Sequence, residues 1–86
     1  MRIFFHRNFQ KQATKLKKAE RERLDARMQL FLAERMHPLL HDHQLTGELS
    51  AYRTINIGGD LRAQYVENDL GDCIFLKIGT HSELYE

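Results

Sequence analysis

A cation, an imidazole and an aromatic ring recur at four-residue spacing near the C-terminus: Lys77, His81 and Tyr85. Imidazole, with a reference pKa of about 6.5, gives or takes a proton readily at neutral pH. An ammonium beside it could hold an anion, and a ring could pack on a planar substrate. A second cluster lies upstream, where His37, His41, Asp42 and His43 fall within seven residues. Its composition invites a metal reading, and His37 and His41 stand four apart. Pro38 prevents a helix from presenting both, and the single Cys73 is distant. A structural zinc site wants four clear ligands, so no metal is expected here.

The C-terminal trio needs a strand, a turn and a short helix to hold it. Ile74, Leu76 and Ile78 alternate with Phe75 and Lys77, which predicts a buried strand with the first three facing a core. Gly79 breaks that strand. Thr80 and Glu83, three apart, have the spacing of a capping box that opens one helical turn.

The rest of the chain must supply the core. Ile3-Phe4-Phe5 predicts a first strand. Phe5, Phe9, Ala13 and Leu16 then recur at helical spacing, with Arg7, Lys11, Lys15, Lys17 and Lys18 elsewhere on the wheel and Asn8 as the candidate N-cap. A second helix is predicted from about Ala19 to Met36, with Leu24, Met28, Phe31, Leu32 and Met36 on its apolar side. No Gly or Pro marks the join, so a helical hairpin and one long helix both stand, the hairpin being preferred. Pro38 closes the helical region. Three strands follow, Ser50–Ile57, Leu61–Glu67 and Cys73–Gly79, joined by a hairpin signal at Gly58-Gly59-Asp60 and a turn over 68–72. The order is β-α-α-β-β-β. It describes an α+β fold in which a helical hairpin packs on a small, twisted, mainly antiparallel sheet.

Eighty-six residues suffice for one core, so residues 1–86 are read as a single domain. One cysteine excludes an internal disulfide and fits a reducing compartment. The absence of an 18-residue apolar run predicts no membrane association, and a cytoplasmic protein. The net charge of +1 hides an asymmetry: residues 1–35 hold ten Lys/Arg against four Asp/Glu, residues 36–86 three against eight. A basic half suits a polyanionic partner such as RNA, a ribosome surface or an acidic protein segment; it also suits helices whose outer faces are simply solvated.

The run His43-x-Leu45-x-Gly47, then Tyr52-Arg53, Asp60 and the ending Gly79-Thr80-His81-Ser82-x-Leu84-Tyr85 resembles the RelE/ParE superfamily of bacterial toxins, and within it the YafQ-like mRNA interferases. The resemblance covers about Asp42 to Tyr85. It implies a toxin of a type II toxin–antitoxin system, a ribosome-dependent endoribonuclease that cuts mRNA and is silenced by a cognate antitoxin, with no metal or small-molecule cofactor. The chemistry implied is attack of a ribose 2′-OH on the adjacent phosphate, which calls for a base, an acid and positive charge on the phosphoryl oxygens. His81 matches the family's general acid and His43 its proposed base. Asp60 matches a carboxylate also put forward as base, and the choice between the two stays open. Lys77 stands where the family has a phosphate-contacting Arg, and Tyr85 where a ring packs on the substrate.

The sequence departs from the pattern at three points. Asn56 replaces a His, Leu61 replaces an aromatic, and Lys77 lacks the guanidinium fork. Arg62 falls where other relatives contact phosphate and could compensate, so Asn56 and Arg62 join Tyr85 as expected substrate contacts. Tyr52, Tyr65 and Arg53 are expected to serve the framework, and His6, His37 and His41 to lie outside the chemistry. Two other functions compete: a ParE-like gyrase poison, which would have no use for an acid–base set, and a non-catalytic relative that only binds its antitoxin.

Overall fold

Strands of alternating apolar residues build the centre of the molecule: β3 (Arg53–Gly58), β4 (Leu61–Glu67) and β5 (Cys73–Thr80), paired antiparallel in that order. The β3–β4 turn depends on Gly58, whose φ is +133° and whose absent Cβ would lie 2.7 Å from Arg23 Nε. The computed structural model describes residues 1–85 and adds a strand at each sheet edge. β1 (Ile3–Phe5) runs parallel to β5, with Phe5 opposite Phe75. β2 (His43–Gln44) runs antiparallel to β3, with His43 opposite Thr54. The α+β class and the element order agree with the sequence reading. β2 was not expected, because two exposed polar residues carry no hydrophobic alternation and are held by backbone pairing.

Two helices cover one face of the sheet, α1 (Arg7–Thr14) against β5 and α2 (Lys18–Ala33) against β3. The hairpin reading holds, and its join needs neither Gly nor Pro. The backbone N–H of Lys17 donates to Glu20 Oε1 at 2.9 Å, satisfying an open donor at the start of α2. Arg21 Nη2 donates to the terminal carbonyls of α1, Thr14 at 3.0 Å and Ala13 at 3.3 Å. The N-cap of α1 is His6 rather than Asn8: His6 Nδ1 accepts from the Asn8 N–H, so the helix starts at Arg7, two residues earlier than an Asn8 cap would place it.

α2 also ends before the predicted Met36. Leu32 and Met36, expected on its apolar side, are 57% and 65% exposed. Their place in the core is taken by Leu40, buried at the end of the helical turn Pro38–Leu40, which His37 Nδ1 caps by accepting from the Leu39 N–H. Leu30, off the predicted stripe, is half-buried against the core. At the centre Phe31 stands edge-on to Tyr65 and Phe75, with ring centroids 5.3 and 5.4 Å away. Edge-to-face geometry brings the positive rim of one ring to the negative face of another.

β5 contains an irregularity with consequences for the open face. Gln64 faces Lys77, yet the next pair is Tyr65 with Phe75, so Leu76 is an extra residue. Such a bulge shifts the alternation by one. The residues facing the core are therefore Cys73, Phe75 and Ile78, and the expected row of Ile74, Leu76 and Ile78 holds only at Ile78. Past the bulge, Lys77 and Gly79 share the face of Gln64 and Arg62.

Candidate active site

Residues directly opposite in a sheet share a face. One row on the face turned away from α1 and α2 therefore reads His43, Thr54, Gln64, Lys77, and the next reads Asn56, Arg62, Gly79. At the end of β5 the chain turns into α3 (His81–Tyr85) through the expected capping box: the Thr80 N–H donates to Glu83 Oε1 at 2.7 Å, and the Glu83 N–H donates to Thr80 Oγ1 at 3.2 Å. The Thr80 amide first, and then the Thr80 hydroxyl, hold the Glu83 carboxyl below the usual carboxylate range. Leu84 is buried and fixes the turn, while His81 stays exposed and its ring meets Tyr85 edge-on, 4.7 Å between centroids.

A cleft of about 410 Å³ opens between β2, the sheet and α3. Its walls include His41, His43, Arg62, His81 and Tyr85, with Leu45, Thr46, Leu49 and Thr54 completing them. Four of the expected site residues thus meet in one place. Arg62 is fixed by its Nη1, which donates to Asn56 Oδ1 at 2.9 Å and to the Gly59 carbonyl at 3.1 Å. Asn56 Oδ1 also accepts from the Gly58 N–H. Asn56 is therefore the post on which Arg62 is hung, and it does not line the cleft. Asp60 sits exposed in the β3–β4 turn, outside the lining. Lys77 is exposed on the open face, also outside it. Three strand spacings of about 4.8 Å separate Lys77 from His43 along their row, about 14 Å.

His41 and the apolar walls were not anticipated. The ring of His41 lies 4.5 Å from that of His43. Its neighbour Asp42 ties this connector to the sheet and to the end of the helical region. The Asp42 side chain is fully buried and accepts from Tyr65 Oη at 2.6 Å, Arg53 Nε at 2.9 Å and Arg35 Nε at 3.4 Å. Arg35 reaches on to Glu67 at 3.0 Å, and that bond holds the Glu67 carboxyl below its usual range. A carboxylate so committed is unavailable to a metal, and no group of three metal-ligating side chains occurs among the described residues. Tyr65 and Arg53 serve the framework, as expected.

The same cluster makes stability sensitive to alkali. Burial, then the bond to Asp42, pushes the Tyr65 phenol well above its ordinary value near 10. Its contribution is fully present below the unfolded value and is lost as pH rises toward the folded one. Tyr65→Phe is expected to flatten the loss of stability between about pH 9 and pH 11, measured by urea unfolding at each pH. A wild-type-like decline in the variant would refute this account.

No curated protein sequence matches the chain. Among solved structures, Escherichia coli YafQ from strain BL21(DE3) superposes with a TM-score of 0.80 at 22% identity, covering 100% of both chains. The E. coli DinJ–YafQ complex gives 0.76 at 22%, again with both chains fully covered. The archaeal RelE–RelB complex of Pyrococcus horikoshii gives 0.72 at 20%, covering 92% of each chain. These likenesses establish a shared fold. The family model described as the YafQ bacterial toxin of type II toxin–antitoxin systems matches residues 1–86, the whole chain. With that match and this fold, the protein belongs to the YafQ family of bacterial toxins.

Proposed function

We propose that the protein is an endoribonuclease that cuts mRNA on the translating ribosome, using the cleft between β2 and α3. The observation that carries this reading is the convergence of His43, His81 and Arg62 on one cavity with the ring of Tyr85. In the step proposed, the ribose 2′-oxygen attacks the adjacent phosphorus as its proton passes to His43. The bond from phosphorus to the 5′-oxygen breaks, and His81 protonates that oxygen. The products are a cyclic phosphate and a 5′-OH. Arg62 faces the phosphoryl oxygens, where charge accumulates, and its fixed guanidinium supplies the donors. Tyr85 stacks on an unpaired base. The exposed position of Asp60, away from the cleft lining, favours His43 as the base. Lys77, farther along the open face, suits a flanking phosphate better than the scissile one.

An antitoxin is the natural partner. The E. coli relative is known in complex with DinJ and the archaeal one with RelB. The basic charge of residues 1–35 would attract an acidic segment that folds on binding, and the same charge would favour ribosomal RNA. The test is primer extension on an mRNA translated in vitro with purified protein. Discrete cuts ending in cyclic phosphate are the expected result. Absence of cuts from folded protein on active ribosomes would overturn the reading in favour of a binding-only toxin. DNA breaks dependent on gyrase, without RNA cuts, would indicate a poison of the ParE kind.

A further inference from the structure

His43 Nδ1 lies 2.7 Å from the carbonyl oxygen of His41. A carbonyl oxygen only accepts, so Nδ1 must carry the hydrogen in this contact. In the neutral ring the lone pair then sits on Nε2. The carbonyl reaches that position because His41 adopts the left-handed conformation, φ 46° and ψ 46°, the one non-glycine residue with positive φ among the described residues. Such a backbone is uncommon outside glycine and is kept only where its surroundings impose it.

Both sides of His41 impose it here. On the N-terminal side the turn Pro38–Leu40 is fixed by buried Leu40, and the His41 N–H donates to the Pro38 carbonyl at 3.2 Å. On the C-terminal side Asp42 is clamped by Tyr65, Arg53 and Arg35. His43 is then paired opposite Thr54 in β2. The carboxylate nearest to His43 in sequence is thus fully spent, and the group that orients the imidazole is a backbone carbonyl.

We propose that His41 is a positioning residue: its left-handed backbone aims a carbonyl at Nδ1, locks His43 in the Nδ1–H tautomer, and leaves Nε2 as the atom that receives the 2′-OH proton. The proposal rests on His43 as the base. It also predicts what position 41 tolerates. A residue that enters the left-handed region readily preserves the lock; a β-branched residue, for which that region is a true outlier, breaks it.

The experiment is ¹⁵N–¹H correlation through two bonds on the intact labelled protein, at a pH where the imidazoles are neutral, with His43 assigned by loss of its signals in His43→Gln. Wild type is expected to show the Nδ1–H pattern at His43. His41→Val is expected to lose that pattern and at least tenfold in cleavage, with the aromatic signals of Tyr65 and Phe75 unchanged. Glycine or asparagine at the same position is expected to restore the Nδ1–H pattern. An Nε2–H pattern in the wild type overturns the proposal whatever the cleavage assay gives, and so does a His41→Val protein that keeps the Nδ1–H pattern. The readout is independent of activity. An intact Nδ1–H pattern beside full cleavage by His43→Gln would instead refute His43 as the base, and with it the use of Nε2.

Discussion

Replacing His81 by alanine is expected to slow mRNA cleavage by about 10²- to 10⁴-fold, the usual share of a positioned general acid. The fold should be indifferent to the change. His81 is exposed, and α3 is held by the Thr80–Glu83 capping box and by buried Leu84. A surface substitution of this kind shifts stability by no more than about 0.5 kcal/mol. Primer extension on translated mRNA reads the first quantity and urea unfolding the second. Undiminished cuts would mean that the leaving oxygen takes its proton elsewhere, with Arg62 the other cationic group in the cleft lining. A large loss of stability would mean that the ring contact with Tyr85 matters to the fold more than its exposure implies.

The second large effect is on stability. Asp42→Ala removes the acceptor shared by Tyr65, Arg53 and Arg35 and leaves their donors facing one another in a partly buried site. Breaking a buried ion pair costs about 3–5 kcal/mol. The two arginine side chains are 27% and 25% exposed and can recover some hydration, so the lower end, about 3 kcal/mol, is expected. Against a typical total of about 5–15 kcal/mol, that is a large fraction. The urea midpoint should fall accordingly with an unchanged slope. A shift equivalent to less than about 1 kcal/mol would show that the cluster is not what fixes the connector. Cleavage should fall as well, because His43 is the next residue along the chain.

The C-terminal end of the cleft was legible in the sequence because its signals are local. A threonine and a glutamate three apart are enough for the cap, and i, i+4 spacing is enough to bring His81 to Tyr85. Most of what was missed depends on partners distant in the chain. The bulge at Leu76 arises only from pairing with β4, and it changes which of Ile74, Phe75 and Leu76 face the core. The break between α1 and α2 is sealed by Arg21, a residue that the hydrophobic pattern treats as surface. The sequence set the metal reading of Asp42 and its three histidines aside but could not show what Asp42 does instead, because its partners lie 7, 11 and 23 residues away. His41 was placed outside the chemistry. Its importance lies in a backbone angle, and no residue type announces that.

The position of β5 bears on how the molecule comes into being. The strand made last in sequence is the one flanked by the strand made first: Ile3 pairs with Cys73, and the Arg2 N–H meets Asp72 Oδ1 across a separation of 70 residues. Chains emerge from the ribosome N-terminus first, and pairings of such long range are the slow ones to form. A nascent chain lacking its final strand has no neighbour for β1, no β4–β5 ladder and no α3. The cleft therefore has no partial form. His81 and Tyr85 arrive with the same few residues that complete the sheet, so a chain that stops short of β5 carries no assembled cleft.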